Sequence, residues 1–182
     1  LAGISATTLV AGNMVYIGFH TLLYYAVAYA LMNLGAFGII FWVEQNKNTV
    51  DLNGFKGLAR SAPVSALVMT LVLISLTGIP PTAGFFGKLF IIQTLVSSQL
   101  GWLAIILVLM SVVSAYYYLR IVVNMFMHEP DNVATEAKSD TASMPDSIGF
   151  VVLVSGIGTL ALGIFANWLY QFAVDSIALA AL

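Results

Sequence analysis

Sixty per cent of the 182 residues are apolar and 8% are charged, with a mean hydropathy of +0.99, where a soluble domain carries roughly a quarter charged residues. Such a chain suits lipid, and with no cysteine and only two histidines it offers neither disulfides nor thiolate-held iron–sulfur clusters, so it is not expected to carry electrons itself. The formal net charge of -2 and the scattered Lys and Arg residues present no basic patch, which argues against a nucleic-acid partner.

In chain order, Leu1 to Val10 reads as the end of a helix that begins before Leu1, so the 182 residues are taken as one membrane domain, a C-terminal fragment of a larger chain. Residues 17 to 43 are an unbroken apolar run, the first full span, with Gly35 and Gly38 as small residues that allow close helix approach. Residues 44 to 61 hold Glu44, Lys47, Asp51, Lys56 and Arg60 and no apolar run, and are expected to form a loop outside the membrane.

Residues 62 to 98 carry a conflict. Pro63 starts a helix well, but Gly78-Ile79-Pro80-Pro81 must interrupt it, because proline lacks the N–H donor and clashes with the preceding turn. A continuous helix over this stretch would be ~55 Å long, too long for one straight span and tight for two with a turn. Either two short spans meet at a turn or one span is broken midway. A single broken crossing puts the loops at 44–61 and 128–147 on one side with Lys47, Lys56, Arg60, Lys138 and nearby Arg120, and leaves the other side without Lys or Arg. Basic residues gather on the cytoplasmic side, so the single broken crossing fits better and both loops are expected to be cytoplasmic.

The next span covers residues 101 to 127, with Trp102 at one end and Tyr116, Tyr117, Tyr118 and Arg120 toward the other, where interfacial aromatics and snorkelling cations belong. Residues 128 to 147 are polar and loop-like, and a last span covers about 148 to 172. The expected fold is all-α: a polytopic transmembrane helix bundle with about four full spans plus a partial one, and one span discontinuous around Gly78 to Gly84.

Lys88 stands in Gly84-Phe85-Phe86-Gly87-Lys88-Leu89-Phe90, seven residues after Pro81 and with no neutralising residue nearby. A charge at membrane depth costs several kcal/mol by insertion scales (about 2.5–3.5), so such residues face a protein or water-filled interior and take part in ion paths. Desolvation disfavours the charged amine, the condition for proton exchange near neutral pH. Broken helices are tolerated where they line a cavity, and Gly78, Pro80, Pro81 and Gly84 supply the break. The bland readings are a lysine snorkelling to an interface and an ordinary interhelical turn.

Tyr25, Tyr29 and Asn33 recur at intervals of four, on one face of the first span. They fit packing and interhelical hydrogen bonds, and as relay neighbours they would extend a polar file. His20, His128 and Arg120 lie near span ends, where an interfacial role is the ordinary one. Gly156-Ile157-Gly158 sits inside an apolar span and is no nucleotide fingerprint. No metal-ligand cluster or Ser-His-Asp arrangement is visible, so an enzyme working alone is not expected.

Several strings carry a family likeness. Leu23-Tyr24-Tyr25 through Tyr29, Met32-Asn33-Leu34-Gly35-Ala36-Phe37-Gly38, Asp51-Leu52 with Lys56-Gly57-Leu58, Ser75-Leu76-Thr77-Gly78-Ile79-Pro80-Pro81-Thr82-Ala83-Gly84-Phe85-Phe86-Gly87-Lys88, and Ser114-Ala115-Tyr116-Tyr117-Tyr118-Leu119-Arg120 together resemble the antiporter-like subunit N of bacterial NADH:quinone oxidoreductase, respiratory complex I. Its subunits L and M and the multisubunit (Mrp-type) sodium/proton antiporters share the broken-helix pattern. The likeness extends over residues 15 to 127 and reaches the last span by position and character only.

The resemblance implies a fourteen-helix subunit of two inverted five-helix repeats, each with a discontinuous helix. These residues would be the end of helix 10 and helices 11, broken 12, 13 and 14. The family's lysine on broken helix 12 falls on Lys88, which would pass protons toward the external side, with Gly78 to Gly84 admitting water. The family's glutamate on helix 5 and lysines on helices 7 and 8 fall outside these residues. The implied function is that of a non-redox, proton-translocating subunit in the bacterial inner (plasma) membrane. NADH, flavin, iron–sulfur clusters and quinone would sit in other subunits, none of them in this chain, and the partners would be neighbouring membrane subunits, including the adjacent antiporter-like one. The alternative is a subunit of a multisubunit cation (sodium)/proton antiporter.

Overall fold

The computed structural model describes residues 8–10, 13–15, 17–49, 51–129, 144–168 and 171–172. Thr8–Val10 (β1) and Asn13–Val15 (β2) form a short antiparallel pair with Leu9 opposite Met14. The helix end expected over Leu1 to Val10 is therefore not found in its described part. Thr8, Val10 and Val15 are β-branched and favour extended backbone. Residues 1–7 lie outside the described residues.

Helix α1 spans Ile17–Lys47, an apolar run with no proline to interrupt it. It ends where Asn48 takes a positive φ of 50°, a conformation asparagine tolerates after a helix. The stretch expected as a loop at 44–61 holds the last turn of α1, a 3-10 turn at Leu52–Phe55 and a short helix α2 at Leu58–Ser61. Phe55 and Leu58 are buried, and the Lys47 ammonium donates to the Gly54 carbonyl at 2.7 Å. This cap is thereby tied to the bundle.

Helices α3 (Pro63–Thr77) and α4 (Ala83–Ser97) are separated by the interruption at Gly78 to Thr82, with Pro80-Pro81 cis. Helix α5 (Gly101–Met127) returns alongside both. Near its start Ala104 packs with Ile91 and Leu95 of α4, and near its end the Asn124 carbonyl accepts the Gly57 N–H at 3.4 Å. Since α5 begins at the end of α4 and finishes beside the segment that precedes α3, α3 and α4 cross in one direction, as a single discontinuous span.

Helix α6 covers Asp146–Ile164. A turn at Phe165 interrupts the last span before helix resumes at 166–168, with 171–172 also helical. Tyr24, Ala28, Met32, Ala36, Ile39 and Val43 form a buried stripe on α1, spaced as one helix face. It packs against small residues of α6, where a Cβ at Gly35 would come within 2.7 Å of Ser155 Cβ. A buried bond of 3.1 Å joins the hydroxyls of Thr21 on α1 and Thr94 on α4. Thr94 already donates to the Phe90 carbonyl, so Thr21 is the donor. Helices α1, α5 and α6 are each long and apolar enough to cross a membrane, and with the α3–α4 pair they make a polytopic helical membrane bundle.

Candidate functional site: a lysine across a broken span

The break is built from its backbone accounting. At the end of α3 the Gly78 N–H donates to the Ser75 carbonyl and the Ile79 N–H to the Ile74 carbonyl, a Schellman closure that needs a left-handed residue at Gly78, whose φ is 95°. That closure leaves the carbonyls of Leu76 and Thr77 without helical donors, because Pro80 and Pro81 have no N–H to give. Lys88, on the second turn of α4, reaches back across the break and donates from Nζ to both, at 2.9 Å each. The side chain of the second half-helix thus caps the C-terminus of the first, where the helix dipole favours a cation. Gly78 also leaves room for it, since a Cβ there would lie 3.1 Å from Lys88 Cδ.

On the α4 side, the Gly84 N–H donates to the buried Ser75 hydroxyl at 3.0 Å, and the Thr82 hydroxyl donates to the Ile79 carbonyl at 2.7 Å. A Cβ on Gly84 would collide with the Ser75 carbonyl, so glycine is what lets the two ends meet.

Lys88 is half-buried and lines a cleft of about 380 Å³ between α1, α3, α4 and α5. The same cleft takes in Tyr25 and Tyr29 of α1, their rings stacked at 5.8 Å. Gly87 permits this, since a Cβ there would lie 2.9 Å from the Tyr25 ring. Helix α5 contributes Ser111, Ser114 and Tyr118. Among the described residues no carboxylate pairs with Lys88.

The structure thus brings Lys88, Tyr25 and Tyr29 together beside Gly78. Pro80 and Pro81 are exposed at the break. Asn33 does not line the cleft, and its amide donates to the Tyr29 carbonyl of its own helix at 2.8 Å. Arg120 and His128 are exposed, and the side chain of His20 lies outside the described residues. Ser111 was not singled out from sequence, Tyr118 was read as an interfacial aromatic, and Ser114 entered only within a family-like string, none of them as a cleft residue. Their spacing of three and four marks one helix face, a signal that acquires meaning only once that face is known to meet the break.

A helical membrane bundle with one discontinuous span, its break bridged by a lysine side chain, places the chain among membrane proteins built on broken helices. The chain belongs to the NADH:quinone oxidoreductase/Mrp antiporter transmembrane family, whose model matches residues 3–114. It is similar to the C-terminal part of proteins named NADH-quinone oxidoreductase subunit N. One, subunit N 1 of Solibacter usitatus, is 40% identical over 157 residues, which is 86% of this chain and 32% of that protein. Subunit N of Thiobacillus denitrificans is 40% identical over 163 residues, 88% of this chain and 32% of that protein. Subunit N 1 of Herpetosiphon aurantiacus is 42% identical over 144 residues, 79% of this chain and 28% of that protein. The chain spans about a third of the length of the curated relatives it matches.

Proposed function

We propose that these residues form the lysine-bearing part of a proton-translocating membrane subunit of an NADH:quinone oxidoreductase, with Lys88 as the proton carrier. Redox groups and quinone belong to other subunits, and the partners are neighbouring membrane subunits. The membrane is the bacterial inner membrane, with residues 44–61 on the cytoplasmic side as the distribution of Lys and Arg favours. The relatives named subunit N support this reading.

The observation that carries the mechanism is the pair of hydrogen bonds from Lys88 Nζ to Leu76 and Thr77. An ammonium has three donors, and two are committed to these carbonyls. The third position is left for water or a hydroxyl of the cleft. On losing that proton the neutral amine keeps two N–H donors for the same two carbonyls and turns a lone pair toward the cleft. Proton exchange therefore proceeds without opening the cap that holds the break. Charge arriving or leaving nearby shifts the balance between the two forms, which is how electron transfer elsewhere would drive it.

The test is Lys88→Met in the whole complex reconstituted in sealed vesicles. Fewer protons pumped per electron is the expected result, and an unchanged ratio removes Lys88 from the path.

A further inference from the structure

Pro80 and Pro81 bring no N–H to the link from Gly78 to Thr82, and backbone outside a helix at membrane depth is stable only where protein or a cavity takes it up. Lys88 caps the α3 end of the link from within the cleft, whose lining comes from α1, α3, α4 and α5. The α4 end is met from outside the cleft, by the last span. A Cβ on Gly163 of α6 would collide with the Pro81 carbonyl and lie 2.9 Å from both Cα and the carbonyl carbon of Thr82. Gly163 and Thr82 are both buried, so this is a backbone-on-backbone contact inside the bundle.

Thr82 is the N-cap of α4, its carbonyl accepts the Phe86 N–H at 3.3 Å, and Lys88 follows on the second turn of the same helix. Displacing Pro81 and Thr82 therefore displaces the base from which Lys88 reaches back to Leu76 and Thr77. Helix α6 is itself anchored at this level. The Phe165 N–H closes onto the Ala161 carbonyl at 2.8 Å, and Ala166, just past the turn at Phe165, is buried in the core. Gly158 of the same helix stands differently, since a Cβ there would meet only the side chain of Leu31 on α1. A leucine side chain can rotate aside, whereas the Pro81 carbonyl moves only with the link.

We propose that the last span is the seat of the break, with Gly163 as a positioning residue: its bare backbone bears on Pro81 and Thr82 and sets where the Lys88 half-helix stands. Lys88 and Gly163 hold opposite ends of the interruption, one by hydrogen bonds to the end of α3 and the other by close packing on the start of α4. A shift of α6 at this contact reaches Lys88 without passing through the cleft. The bearing on transport rests on Lys88 being the proton carrier.

The test is Gly163→Ala in the whole complex, with Gly158→Ala as the control on the same helix. Backbone hydrogen exchange is read over residues 82–88, where the Gly84 N–H is bonded across the break and the Phe86 N–H just after it. Protons pumped per electron are measured in sealed vesicles. Gly163→Ala is expected to exchange about 10-fold faster there and to pump fewer protons per electron, in the direction of Lys88→Met. Gly158→Ala is expected to match the parent in both. If Gly163→Ala fails to assemble, Ala166→Gly loosens the same stretch of α6 without adding an atom, with the same expected changes. Unchanged exchange, equal effects from Gly158→Ala, or a parent pumping ratio where Lys88→Met lowers it, overturns the proposal. Exchange needs no transport, so the two readings fail separately. Normal pumping by Lys88→Met with faster exchange in Gly163→Ala sinks the carrier alone, while reduced pumping by Lys88→Met with parent exchange in Gly163→Ala sinks the seat alone.

Discussion

Ser75 and Gly84 meet across the interruption: the Ser75 hydroxyl accepts the Gly84 N–H at 3.0 Å, and a Cβ on Gly84 would strike the Ser75 carbonyl. The last turn of α3 and the first turn of α4 are therefore pinned together at a contact only glycine permits. Ser75→Ala leaves a buried N–H without its acceptor, a loss of about 1–3 kcal/mol. Gly84→Ala forces the half-helices apart, and overpacking of this kind costs about 1–3 kcal/mol. Both variants should lower the unfolding temperature of the detergent-solubilised subunit, and a Gly84→Ala protein as stable as the parent would contradict the close approach.

Gly78 serves the break twice, through its positive φ of 95° and through the space it leaves for the Lys88 side chain. An alanine there pays about 1–2 kcal/mol for the left-handed backbone and pushes on Lys88 Cδ. Gly78→Ala is expected to reduce stability and protons pumped per electron together. Loss of stability with pumping intact would show that Lys88 tolerates displacement from the two carbonyls.

Tyr24 offers a contrast away from the cleft. Its hydroxyl donates to the Leu162 carbonyl at 2.8 Å, joining α1 to α6, and its ring meets Phe90 edge-on at 5.3 Å. Tyr24→Phe keeps the ring and deletes the bond, so thermal unfolding should register a loss of about 0.5–1.5 kcal/mol. Protons pumped per electron should stay at the parent value. A drop in that ratio would place Tyr24 in the path.

The break was legible because its cause is local: Gly78-Ile79-Pro80-Pro81 cannot continue a helix whatever surrounds it. Lys88 was legible as a lone charge in an apolar run, but its capping of Leu76 and Thr77 was not, since that depends on how two half-helices meet. Asn33 shares a face with Tyr25 and Tyr29 by periodicity, yet its amide bonds to the carbonyl one turn back, a local option open to asparagine in any helix. Ser111, Ser114 and Tyr118 lie on a helix that is apolar nearly all round, where the sequence gives no means of choosing the face that packs inward. The β-branched residues near the start prefer strand over the helix end expected there.

As the proposed proton carrier, Lys88 gives up and regains a proton, beyond capping a helix end. Lys88→Arg separates these roles, because guanidinium keeps a cation and donors for the Leu76 and Thr77 carbonyls but does not deprotonate in proteins. The measurement is protons pumped per electron by the whole complex in sealed vesicles, with Lys88→Arg beside Lys88→Met. Lys88→Arg is expected to assemble stably and to pump as poorly as Lys88→Met. Full pumping by Lys88→Arg would mean that Lys88 is a structural cap and that the proton travels elsewhere.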